Sequence, residues 1–144
     1  MTIVNKLINK NMRVREIPKW GVYLRKEWEN HFANHLTKEE KSAIHMHDFE
    51  VFCGYLWHLF SFGKRDCVER EYAIEAFHNE PKGECYVFYQ HDEQAYLLEN
   101  AGLLNYADLI EEESNDLYVV DKQFRWTFVI THETGWCGPY FSKK

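Results

Sequence analysis

The strongest constraint on this chain is a change of hydrophobic period along its length. Trp20, Leu24, Trp28, Phe32 and Leu36 recur every four residues, with Tyr23 beside them, and Pro18 suits a first helical turn. That spacing predicts an amphipathic helix ending near Leu36. Beyond residue 84 the pattern changes. Cys85-Tyr86-Val87-Phe88-Tyr89, Leu117 to Val120 and Phe124 to Thr131 are short runs rich in aromatic and β-branched residues, as strands are. A turn at Asp121-Lys122-Gln123 joins the last two into a hairpin. Helices followed by strands argue an α+β fold. The expected architecture is N-terminal helices packed on one face of a small, mostly antiparallel sheet formed by the C-terminal half. A more regular α/β layer is the alternative.

The stretches between are read the same way. Thr37-Lys38-Glu39-Glu40 is a capping box, since Thr37 can accept from the amide three residues on while Glu40 reaches back. It predicts a second helix from Thr37 to about Phe60. The later half of that helix is apolar on nearly all sides, through Phe49, Val51, Phe52, Tyr55, Leu56, Trp57, Leu59 and Phe60, as a central helix would be. A third helix is expected over Glu69 to Asn79. Asp92 reads as the N-cap of a fourth, Glu93 to Ala101, with Gly102 closing it. Residues 1–15, whose apolar stretch is interrupted by Asn5, Lys6 and Asn9, read as an N-terminal arm, and 16–144 as one globular domain. Glu111-Glu112-Glu113 reads as a solvated loop.

Charge and motif absences narrow the function classes. Lys plus Arg is 17 against 23 for Asp plus Glu, a net charge of −6, which argues against a nucleic-acid partner held through a basic face. No apolar run reaches the ~18 residues of a membrane helix. The N-terminus lacks a secretory pattern, and Cys53, Cys67, Cys85 and Cys137 form no C-x-x-C pair. A cytoplasmic protein with reduced thiols is expected. No phosphate-cradling glycine loop, dinucleotide fingerprint or nucleophile elbow is present.

Four groups of residues could carry chemistry. Glu27, His31 and His35 are spaced by four, so one helix face would stack them, and such a set can ligate a divalent metal. A wet helix rim is the structural alternative. His45, His47, Asp48 and His58 form a second group, spread too far along a helix for one ion without outside help. The third group is His91-Asp92 after one strand and His132-Glu133 after another. If those strand ends are neighbours, the four could form an acid–base or metal site. That reading requires a pocket joining the strand ends, and imidazoles less than about 12 Å apart if one ion is to bridge them. Cys137, in Gly135-Trp136-Cys137-Gly138 and close to His132, is a fourth candidate, as a nucleophile.

Aromatic residues are 17% of the chain, which suits a surface for a protein partner as well as a core. Three segments carry a family likeness: Leu56-Trp57-His58-Leu59-Phe60-Ser61-Phe62, Cys85 to His91, and Trp126 to Glu133 with Gly138-Pro139-Tyr140-Phe141. Together they resemble a family of small uncharacterised proteins of Gram-positive bacteria, a domain of unknown function, from about Trp20 onward. The tail also looks like the ends of bacterial immunity-type proteins. These likenesses imply no catalytic residue. The expectation is a protein-binding domain of immunity or antitoxin type, acting by occlusion, with Trp136 and Tyr140 as the first anchors to test. The alternative is an enzyme or small-ligand protein using His91, Asp92, His132 and Glu133, with or without a divalent metal. A homodimer through an apolar face is a third expectation.

Overall fold

A computed structural model describes residues 3–48, 53–110, 115–133 and 135–144. The described elements are α1 (Ile3–Asn9), β1 (Val14–Glu16), α2 (Gly21–Phe32), α3 (Lys38–Ala43), α4 (His58–Ser61), β2 (Val68–Glu69), α5 (Glu71–Asn79), β3 (Cys85–Tyr89), β4 (Ala95–Leu98), a 3-10 turn at Ala101–Leu103, α6 (Tyr106–Leu109), β5 (Leu117–Asp121), β6 (Trp126–Ile130) and β7 (Tyr140–Lys143). The strands form one sheet in the order β1-β4-β3-β5-β6-β7-β2, with every neighbouring pair antiparallel. The α+β class read from the sequence is the observed one.

Both faces of the sheet are covered, rather than one. Alternate residues of a strand point to opposite faces. Val87, Val119 and Phe128 face a core closed by Leu7 of α1 and Phe77 of α5, where the Phe77 and Phe128 rings stack 4.2 Å apart. Phe88, Tyr118 and Val129 face a second core closed by Leu24, Trp28 and Phe32 of α2 and by Leu59 and Phe60 of α4. Trp28 is wholly buried, and its Nε1–H donates to Thr127 Oγ1 at 2.8 Å, satisfying the one polar atom its ring carries inside. β5 and β6 are buried along their whole length, which is why their sequences run continuously apolar instead of alternating. The first fifteen residues contribute α1, with Ile3 and Leu7 in the core, and β1, which pairs with β4.

Three elements differ from expectation for local reasons. The capping box forms as read: Thr37 Oγ1 accepts from the Glu40 amide at 3.1 Å and the Glu40 carboxylate from the Thr37 amide at 3.0 Å. The helix it starts ends at Ala43, and His45 adopts φ 55, which a helix cannot continue through. The chain then closes on itself, with the Tyr55 amide donating to the His45 carbonyl at 3.0 Å. Gly54 permits this closure, because a Cβ there would lie 2.1 Å from the His47 carbonyl carbon. The apolar run is thus partly loop, seating Ile44, Met46, Leu56 and Trp57 in the core. Phe49, Val51 and Phe52 lie outside the described residues, as does Glu111-Glu112-Glu113.

The helix expected after Asp92 is instead strand β4. Asp92 Oδ1 accepts from the Gln94 amide at 3.0 Å, a two-residue turn that uses the same side-chain chemistry as an N-cap. Finally, α2 stops at Phe32 rather than near Leu36.

Candidate functional site

The strand pairing brings the third group together. β5 lies between β3 and β6, so the strand ends carrying His91 and His132 are separated by the start of β5. The residue at that position is Asp116. Its backbone carbonyl accepts from the Gln90 amide at 3.0 Å, extending the β3–β5 pairing by one residue. Its carboxylate accepts from His132 twice, from the backbone amide at 3.0 Å and from Nδ1–H at 2.9 Å. Trp57 Nε1–H donates to the same oxygen at 2.8 Å. Asp116 is 7% exposed. A buried carboxylate with three donors is held in position.

The Asp116 bond sets the state of His132. Donation from Nδ1 to a carboxylate leaves Nε2 carrying the lone pair in the neutral ring. Nε2 lies 3.6 Å from the Glu133 carboxylate. Tyr55 packs on the ring with centroids 5.0 Å apart, and the His91 ring meets the same tyrosine at 5.5 Å. The two imidazoles therefore flank one phenol and lie within the ~12 Å bridging limit. His91 Nδ1 is 3.6 Å from Asp48 Oδ2. Burial first, then Asp116, Cys53, Asp48 and Glu133, push the Tyr55 hydroxyl above its ordinary range.

These groups wall a cleft of about 550 Å³, with Tyr55, Gln90, His91, Asp92, Asp116 and His132 among its lining. Gln90 is 9% exposed, and its Oε1 accepts from the Leu56 amide at 2.9 Å and from the Tyr118 hydroxyl. α2 fixes the Asp92 wall. Arg25 Nη1 donates to the carbonyls of Tyr89 at 2.9 Å and Asp92 at 2.7 Å, and Gly21 lets the helix approach until an added Cβ would lie 2.3 Å from the Asp92 oxygen. A second cavity of about 440 Å³ adjoins across Gln90 and His91, bordered by Arg25, Glu29, His47 and Asp48.

The other groups do not converge. His31 stacks on Phe124 at 4.6 Å, with Glu27 3.8 Å from Nε2 and Lys144 Nζ 2.6 Å from Nδ1. Burial and Lys144 hold its imidazolium below the usual range, against the pull of Glu27. His35 lies past the end of α2, and its Nε2 donates to the Lys64 carbonyl at 2.6 Å. Among the described residues no set of three or more His, Cys, Asp or Glu side chains is arranged to hold a metal ion. His47 pairs with Glu29 at 2.6 Å and His58 Nδ1 donates to the His45 carbonyl at 2.9 Å, so the second group is dispersed.

The loop after β6 holds the remaining candidates. Burial and Glu133 push the Cys137 thiol up, the reverse of what a nucleophile needs. Trp136 is 86% exposed. Tyr140 is 2% exposed and packs against Phe60 and Trp57, so its ring belongs to the core and presents no surface for a partner.

Sequence reasoning missed Asp116, Tyr55 and Gln90. Asp116 carried a usable signal, an acid directly preceding a wholly apolar strand. Among the described residues no helix is long and apolar enough to cross a membrane. No curated protein and no solved structure matches the chain. The sequence model of the family described as a domain of unknown function, DUF4275, matches residues 1–141. The chain therefore belongs to the DUF4275 family.

Proposed function

We propose that the strand-end cleft binds a small polar molecule and that His132 exchanges a proton with it. The observation that carries this reading is the Asp116–His132 pair in the wall of a cleft of about 550 Å³, a volume within the range of small-molecule sites. Asp116 orients the ring so that Nε2 can take a proton from a bound group. Microscopic reversal returns that proton to a leaving or product atom. His91 and the Gln90 carboxamide supply further polar contacts from the neighbouring strand end, and Tyr55 supplies a flat apolar wall. Four free thiols, with Cys67 pushed up to about 11 and Cys85 to about 12 by burial, fit a reducing cytoplasm.

The test is an NMR screen of a metabolite library against the His91 and His132 imidazole signals, repeated with His132→Gln and read there at His91. A compound that moves those signals saturably and loses affinity in the variant supports the reading. Compounds that bind wild type and variant alike overturn the role of His132.

A second reading, occlusion of a protein partner, draws support from Trp136, the most exposed large aromatic among the described residues and on the loop that carries His132 and Glu133. It predicts that Trp136→Ala releases a partner that His132→Gln retains, measured by co-purification of both variants side by side.

A further inference from the structure

We infer that the ligand of the cleft is a small organic cation, an amine or a guanidinium held against the tyrosine rings. This rests on the reading of the cleft as a ligand site and adds its chemical class. Tyr55, Tyr89 and Tyr96 contribute to the lining, together with the carboxylates of Asp92 and Asp116. Among the described residues no lysine or arginine lines it. Two more carboxylates stand just behind, Asp48 against His91 and Glu133 against His132, each at 3.6 Å.

The nearest strong cation is already engaged. Arg25 spends Nη1 on two backbone carbonyls and Nη2 on Glu93 at 3.3 Å. The field is felt inside the site: after burial, the carboxylates of Asp116, Asp48 and Glu133 help push the Tyr55 hydroxyl above its ordinary range. Aromatic faces attract cations through the ring quadrupole, and a concave site lined by one sign of charge concentrates ions of the opposite sign. An anionic ligand would meet the same carboxylates with no lysine or arginine among the described lining residues to offset them. Asp116 is occupied by His132 and Trp57, so the free acid at the rim is Asp92, which keeps its second oxygen for a ligand after Oδ1 accepts from Gln94.

The test is an NMR titration of the His91 and His132 imidazole signals with four probes of one shape: butylammonium, butylguanidinium, butanol and butyrate. The expected result is saturable shifts with the two cations and none with the alcohol or the acid. Asp92→Asn, which keeps the turn-forming oxygen, is expected to weaken the cations about fivefold. Glu75→Gln, on α5 and not among the cleft's lining residues, removes one negative charge just as Asp92→Asn does and is expected to leave their affinity unchanged. Equal weakening by both substitutions would reduce the effect to bulk charge and overturn the inference. Saturation by butyrate would overturn the cation class while leaving a ligand site in place. Silence from all four probes also overturns the class, and the ligand reading is then decided by the His132→Gln screen.

Discussion

Two regions of this molecule bring histidines and carboxylates within reach of each other, and only one gathers them around a cleft. Along α2, Glu27, His31 and His35 have the spacing that stacks side chains on a helix, yet the helix ends at Phe32 and His35 turns to a loop carbonyl. At the strand ends, His91 and His132 are 41 residues apart in sequence and meet around one tyrosine because β3, β5 and β6 are adjacent. Helical spacing is a local promise that a single helix end can break. Sheet pairing is enforced by backbone hydrogen bonds along three strands and by burial on both faces, so the geometry at its end is inherited from the core.

The comparison breaks most sharply at Asp116. Removing its carboxylate strands three donors, and a buried polar group left unpaired costs about 1–3 kcal/mol. Asp116→Ala is therefore expected to cost about 3 kcal/mol or more in urea unfolding, and to free the His132 ring. Glu27→Ala, its counterpart on α2, is expected to stay within about 0.5 kcal/mol. Next is Gly54, whose close approach to the His47 backbone places Tyr55. A Cβ there meets His47 backbone on three atoms, so Gly54→Ala is expected to cost about 2 kcal/mol and to shift the His91 and His132 imidazole signals together.

A pH measurement sharpens the contrast within the second cavity. Burial alone would raise the Glu29 carboxyl, but hydrogen bonds from His47 and Lys41 outweigh it and hold it below its ordinary value of 4.5. Its contribution to stability is thus complete above that value and is lost as pH falls through the lower folded one. Glu29→Gln should flatten the acid limb of the urea midpoint below pH 4.5, while leaving the cleft signals in place. The smallest effect belongs to His35→Ala, expected to fall within about 0.5 kcal/mol and to leave cleft titrations unchanged. A loss of ligand binding in that variant would erase the distinction between the two regions.

What was legible in the sequence follows the same division. The central strands were readable because burial on both faces demands continuous apolar runs, and β3 matches its expected limits of 85 and 89. The edge strands β1 and β2 have three and two residues, too short for any periodicity. β4 was misread because an aspartate that tightens a turn and one that caps a helix present the same signal. The adjacency of the His91 and His132 strand ends was an assumption in the sequence and is a consequence of topology in the fold. The roles of Asp116 and Tyr55 were hard to read because His91 and His132, the groups they meet, are remote from them in the chain; they come together only once β5 enters between β3 and β6 and Tyr55 is seated beside His45.

The brevity of those edge strands has a consequence for self-association. A sheet edge offers unpaired amides and carbonyls to any passing strand. Here one edge is three residues long with Arg15 tied to Glu99 at 2.9 Å, and the other is the exposed pair Val68–Glu69 leading straight into α5. Neither gives an incoming chain enough ladder to offset the entropy of ordering it. The architecture thus narrows the route by which a seven-stranded sheet would most readily recruit an eighth strand.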